Sequence, residues 1–281
     1  MKGVDLSHYQ SGLDMARLKK SGFEFAILKI TEGSNLFDSS APVFYMAGKA
    51  AGIPVGGYCY SHALTPGAAR EEAAFLLDRL GGFPMPLGLY MDVETQDQMQ
   101  LSDGLLRDVV VAWCDTIRAA GYIPGVYGSE YNLWAKVNPD ELPEDVIIWV
   151  AHYGKSPDVP CDLWQNSDSG SVAGFSGAVD TDVVRSLRFY EMVQPPEDST
   201  SAVEHAMQQQ QAASSLADAM VGKIQQSTAA SDACPIFPPD PSVMVMQMVM
   251  SYNGYWDKPD GYKSPEFVEA LRTFVDDMEK C

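Results

Sequence analysis

Basic residues are scarce in this 281-residue chain: 19 Lys and Arg stand against 38 Asp and Glu, for a formal net charge of −19. Such an acidic balance argues against nucleic acid or an anionic membrane as partner, because both repel it. The acids are spread along the chain, so the charge identifies no ligand by itself. Cysteine is equally uninformative as a framework. Cys59, Cys114, Cys161, Cys234 and Cys281 are far apart and odd in number, with no CxxC or Cys/His spacing. Neither a zinc site nor a disulfide scaffold is indicated, and no metal or other cofactor is expected. Cys59 and Cys114 lie in apolar stretches and read as core fillers. No apolar run reaches the roughly 18 residues that span a bilayer, which predicts no membrane insertion. No leader is read at the N-terminus, where Met1-Lys2-Gly3 runs straight into a strand, so cytoplasmic residence until release by lysis, or export by another route, is expected. A glycine-rich phosphate loop is also missing after the first strand. The turn there is Asp5-Leu6-Ser7-His8-Tyr9-Gln10, which disfavours an open dinucleotide-binding sheet.

What the chain does have is a 46% hydrophobic content and a regular alternation of short apolar runs with helical patterns. Strands are read at residues 3–6, 25–30, 54–60, 87–93 and 123–127. Helices are read between them at residues 14–20, 41–51, 66–80 and 102–120, with Gly52, Gly81-Gly82 and Gly121 as stops and Ser102 or Asp103 as a cap. Beyond Tyr127 the helices thin out, leaving strands near residues 146–151, 162–165 and 178–184. About eight strands in under 190 residues, with near-continuous apolar character, predict an α/β fold: a compact parallel barrel short of helices in its later part. An open doubly wound sheet is the alternative.

The stretch Leu87-Gly88-Leu89-Tyr90-Met91-Asp92-Val93-Glu94 ends in two acids spaced i, i+2. On a strand they share a face, with Cα atoms roughly 6.5–7 Å apart. Neighbouring carboxyls disfavour each other's charge, so one can hold a proton for general acid work while the other stays anionic. The plainer alternative is a strand running into a solvated acidic loop. Placed in a barrel, polar residues at the strand ends collect in one mouth: Asp5, Lys29, Glu32, Tyr58, Tyr60, Asp92, Glu94, Tyr127, Trp149, Tyr153, Trp164, Gln165, and Asp180 or Asp182. An acidic mouth lined by aromatic rings suits a neutral polyhydroxylated ligand. His8, His62 and His152 lack ligand spacing and are expected to pack or hydrogen-bond.

Seven motifs then occur in order: Asp5-x-Ser7-x-x-Gln10, Leu28-Lys29-x-Thr31-Glu32-Gly33, Gly57-x-x-Tyr60, Tyr90-x-Asp92-x-Glu94, Trp149-x-Ala151-x-Tyr153, Leu163-Trp164-Gln165 and Gly177-x-Val179-Asp180. In this order and spacing the chain resembles glycoside hydrolase family 25, the muramidases of the Chalaropsis lysozyme type found in phage endolysins and bacterial autolysins. The resemblance covers residues 1–188. It implies a flattened TIM-like (β/α)5(β)3 barrel and cleavage of the β-1,4 bond between N-acetylmuramic acid and N-acetylglucosamine in bacterial peptidoglycan. It further implies Glu94 as general acid, Asp92 as the partner of the substrate's acetamido group, and Asp5 and Asp180 as the remaining acids. Many family members have Asn where this chain has Asp182, and the family usually has His-Phe near Cys59-Tyr60. The i, i+2 spacing leaves little room for the water of an inverting enzyme, which favours retention. Other readings are an inactive peptidoglycan-binding barrel and a chitinase-like hydrolase.

Residues 191–200, with Pro195-Pro196, read as a linker. Residues 201–281 are expected to form a small, mostly helical appendage. It has a thin apolar stripe over 201–230, alternating Met244, Met246, Met248 and Met250, and an aromatic set at Tyr252, Tyr255, Trp256 and Tyr262. Wall binding and homo-oligomerisation are the two roles expected of it.

Overall fold

In a computed structural model, residues 1–194 are described. They contain β1 (Lys2–Leu6), α1 (Met15–Lys20), β2 (Phe25–Glu32), β3 (Leu36–Phe37), α2 (Ala41–Ala51), β4 (Val55–Tyr60), α3 (Pro66–Leu80) and β5 (Leu89–Asp92). These are followed by α4 (Gln96–Met99), α5 (Asp103–Ala119), β6 (Pro124–Ser129), β7 (Ile147–Ala151), β8 (Leu163–Gly170), β9 (Val179–Val184) and α6 (Leu187–Val193). The appendage expected at 201–281 and the end of the expected linker lie outside the described residues.

The sheet order β1-β9-β8-β7-β6-β5-β4-β2, with β1 also pairing β2, closes an eight-stranded barrel to which β3 adds a short hairpin edge. Closure leaves no exposed barrel edge. Neighbours from β1–β2 round to β7–β8 are parallel, but β9 runs antiparallel to both β8 and β1. The expectation of a wholly parallel sheet is corrected there. The β8–β9 link has no helix to carry the chain back across the barrel, so β9 returns as a hairpin. Helices thin out as read from the sequence. The β6–β7 connection is a run of turns ending in the 3-10 turn Pro139–Glu141.

The helices form where apolar residues recur at helical spacing. On α5, Leu106, Val109, Val110, Trp113 and Ile117 are buried, and Ser102 accepts a cap hydrogen bond from the Leu105 N–H. Gly52 ends α2 in the left-handed region at φ 65°, which a side chain would strain. The linker expected from Glu191 begins later than read, because Glu191–Val193 complete α6. Phe189 and Val193 of that helix pack on the barrel core beside Phe25 and close its lower end.

Inside the barrel, large and small residues alternate between strands. Phe25, Ile27 and Tyr90 are buried and face Gly3, Gly56 and Gly125 in turn on neighbouring strands, and the buried Trp149 packs on Tyr90. A Cβ on Gly125 would sit 2.3 Å from the Tyr90 ring, and one on Gly3 2.3 Å from Phe25. The glycines therefore make room for aromatic filling, and that filling forms the floor beneath the mouth.

Candidate active site

The mouth is built by strand alternation. Asp5 on β1, Tyr58 and Tyr60 on β4, Asp92 on β5, Tyr127 on β6, Gln165 on β8 and Asp180 on β9 all point inward. Register brings them together: Tyr60 pairs with Asp92, Asp92 with Tyr127, and Asp5 with Asp180. Asp180 sits at the mouth because β9 is antiparallel, so its first residues lie beside the last residues of β1.

On a regular strand Lys29 and Glu32, three residues apart, would face opposite sides. Ile30 is an extra residue in the β2–β4 ladder, between the pairs Lys29–Tyr58 and Thr31–Cys59. This bulge returns Glu32 to the inner face, where it pairs with Tyr60. Lys29 Nζ then reaches Glu32 Oε2 at 2.6 Å and lies 5.1 Å from the Tyr60 ring centre. The Lys29 contact is the chief reason that Glu32 is held below the usual carboxylate range. His62 adds a 3.2 Å contact to Glu32 and ring contact to Tyr60, a rim neighbour that the sequence reading did not place in the site.

Gln165 is the hub of the acid cluster. Its amide Nε2 donates to Asp5 Oδ2 at 2.9 Å and to Asp180 Oδ2 at 3.4 Å. Its Oε1 accepts from the Tyr127 and Tyr153 hydroxyls, both at 2.9 Å. All four hydrogen-bonding positions of the buried amide are thereby used, which fixes which way it points.

Four acids share this space. Burial, then repulsion from Asp180 and Glu94, pushes Asp5 up to about 8, against the opposing donor from Gln165. Asp180 is pushed up to about 6 by burial and by Asp168. Asp92, buried with Oδ1 lacking a donor, is held well above the usual carboxylate range by burial and by Glu94 and Asp5. Glu94 is open to solvent at the mouth. Crowding around its carboxyl and repulsion from Asp180 still raise it, while Lys29 opposes the rise. All four carboxyls are raised by burial and by neighbouring acids, so the cluster titrates as a set, with Glu94 its solvent-facing member.

Three residues read as part of the mouth lie elsewhere. Trp164 alternates with inward-facing Leu163 and Gln165, so it faces the outside of the barrel. There its Nε1 donates to the His152 carbonyl at 2.7 Å, and Arg185 lies over its ring. Trp164 and Gln165 are adjacent on one strand and could not both face the mouth. Trp149 does point inward, but it is buried in the core among Tyr58, Tyr90 and Tyr127 and offers no open face. Asp182 lies one layer below Asp180, fully buried, and accepts from Trp149 Nε1 at 2.9 Å. It too is out of reach of a ligand in the mouth. The three histidines hydrogen-bond to carboxylates as expected: His8 to Asp38, His62 to Glu32 and His152 to Glu130. Cys59 and Cys114 are buried as free thiols.

An acid cluster at the mouth of a closed α/β barrel is the arrangement of a glycosidase-type site. The chain belongs to the glycosyl hydrolases of family 25, whose description matches residues 4–175, well over half its length. It is 32% identical over 188 residues to the autolytic lysozyme of Clostridium acetobutylicum, covering 65% of this chain and 55% of that one. It is 29% identical to lysozyme M1 of Streptomyces globisporus, covering 64% of this chain and 66% of that one. The chain therefore spans between about half and two thirds of the length of these relatives. Among solved structures, a bacterial lysozyme from Streptomyces coelicolor superposes with a TM-score of 0.61 at 25% identity, covering 69% of this chain and 96% of that one.

Proposed function

We propose that this protein is a peptidoglycan hydrolase, an N-acetylmuramidase that cleaves the β-1,4 bond between N-acetylmuramic acid and N-acetylglucosamine at the bacterial cell wall. The observation that carries the reading is the pairing of an open Glu94 with a buried Asp92 in one acid cluster, in a chain of this family. The names of its relatives, lysozymes and an autolytic lysozyme, support the substrate.

In this mechanism Glu94 protonates the leaving glycosidic oxygen, since its carboxyl is raised and faces the opening. Asp92 lies deeper and orients the substrate's 2-acetamido group. That group's oxygen attacks the anomeric carbon as the bond to the leaving sugar breaks, and water then opens the resulting oxazolinium with overall retention. Glu94, now anionic, takes the proton of that water. Asp180, ionised above about 6, keeps the local field negative, which stabilises the positive charge that develops on the sugar ring, and Asp5 closes the acid ring beside it. Tyr60 and the half-exposed Tyr153 supply ring faces to the sugars, the buried Tyr127 holds Gln165 through its hydroxyl, and Lys29 holds Glu32 at the wall of the mouth. Residues 201–281 are assigned, on sequence pattern alone, to wall attachment or self-association.

Purified cell walls treated with the protein should lose turbidity, and Glu94→Gln should reduce the rate by about 10²–10⁴-fold, the usual worth of a general acid. Unchanged activity in that variant contradicts the role. A glycosyl adduct trapped on Asp92 and seen by mass spectrometry would instead establish a covalent route.

A further inference from the structure

Asp182 presents a problem that its neighbours do not solve while it is ionised. Its side chain has no solvent exposure. Oδ1 accepts one hydrogen bond, from Trp149 Nε1 at 2.9 Å, and Oδ2 is buried with no donor directed at it. The other group within hydrogen-bonding reach is the Asp5 carboxyl, and the charges acting on Asp182 are those of Asp5 and Asp180, both acids. A buried carboxylate with one donor, beside two further carboxylates, is among the costliest arrangements a protein interior can hold.

A proton between the two carboxyls removes that cost. We propose that Asp182 is a neutral carboxylic acid that donates its proton to Asp5, and that it is thereby a positioning residue fixing the Asp5 carboxyl in the mouth, so that when the pair first ionises the charge settles on Asp5. The placement of the proton follows from donor counts. Asp5 already accepts from Gln165 Nε2 at 2.9 Å and lies nearer the opening, whereas Asp182 has only the indole. The anion therefore belongs on Asp5 and the acid on Asp182. Gly3 and Gln165 flank Asp182 on the adjoining strands and neither brings a charge, so no cation there can take the place of the proton.

The titratable groups facing this pair are Asp180 on β9, Tyr58 on β4, Tyr90 and Asp92 on β5, Glu94 just beyond it, Tyr127 on β6 and Tyr153 after β7. Burial raises all four tyrosines, so they stay neutral through the range in which the acids titrate. Lys29, the nearby cation, acts on Asp92 and Glu94 and is engaged by Glu32.

Asp182→Asn tests this directly, because an amide reproduces both hydrogen bonds without a titratable proton. An acid kept neutral in the fold contributes stability at low pH that is lost as pH rises above the ordinary aspartate value of about 3.9, where the unfolded chain ionises. The melting-temperature gain of Asp182→Asn over the parent should therefore grow as pH is raised from about 4 to about 8. A gain that does not change with pH overturns the proposal. Infrared spectra near neutral pH should show the loss of one protonated-carboxyl carbonyl band in the variant, and its persistence would equally overturn it. The activity arm rests on the hydrolase reading above. There KM should be unaltered in Asp182→Asn, whereas a change in KM alone would mean that Asp182 contacts substrate and would overturn the positioning role. The stability and infrared arms need no substrate, so they stand or fall separately from that reading.

Discussion

Gln165 shows how much of the site depends on one uncharged side chain. Its amide joins two tyrosine hydroxyls to two aspartates, so removing it strips partners from four buried or half-buried groups at once. Each group left unsatisfied costs about 1–3 kcal/mol. Gln165→Leu should lower the melting temperature and reduce wall-lytic activity at least tenfold, whereas Gln165→Glu should fold but move the pH optimum by adding a further acid; circular dichroism melts and turbidity assays report both. Asp180 offers a second check on the electrostatics. Its carboxyl is pushed up to about 6, so the folded state loses stability as pH rises from about 4 through 6. Asp180→Asn should therefore be more stable than the parent, with a gain that grows over that interval and levels off above it. The sign follows from the direction of the shift: a depressed acid would give a gain that falls with rising pH.

Two features of individual elements decide which residues reach the mouth. The extra residue in β2 turns Glu32 inward, and the reversed direction of β9 sets Asp180 beside Asp5 while burying Asp182 a layer lower. Neither is visible in a motif read along the chain. A bulge leaves no signature in Leu28-Lys29-Ile30-Thr31-Glu32, and strand direction depends on where the connection can run. Strand alternation, by contrast, is legible: period two alone puts Trp164, next to Gln165, on the outer face. The glycines of β1, β4 and β6 are the counterpart of the aromatic filling. Gly125→Ala would drive a Cβ into the Tyr90 ring, and overpacking of this kind costs about 1–3 kcal/mol, measurable by denaturant unfolding. At the lower end, Phe189→Ala on α6 removes a fully buried ring and should cost about 3–5 kcal/mol. Sequence periodicity did not reveal α6, because seven residues cover too few turns to show a pattern and the helix is held by tertiary contacts. Its Arg188 pairs with Asp162 through Nε at 2.6 Å and bonds the Val146 carbonyl at 2.8 Å.

At the scale of the whole molecule, the barrel serves to hold mutually repelling acids in one place. A cluster of raised carboxyls costs folding stability, and the closed sheet with its aromatic floor supplies the rigidity that tolerates it. This explains why the broad outline could be read from the sequence. The strands are apolar runs, their helices are capped and amphipathic, and the acids fall at strand ends where a barrel collects them. What could not be read was depth. Asp180 and Asp182 look equivalent along the chain, and only register separates the mouth from the floor. The muramidase reading is tested most directly by the sugar left at the new reducing ends of digested peptidoglycan. Muramic acid at those ends, formed by the parent protein and absent after treatment with Glu94→Gln, is the predicted result. Glucosamine at the reducing ends, or no new ends at all, would contradict it.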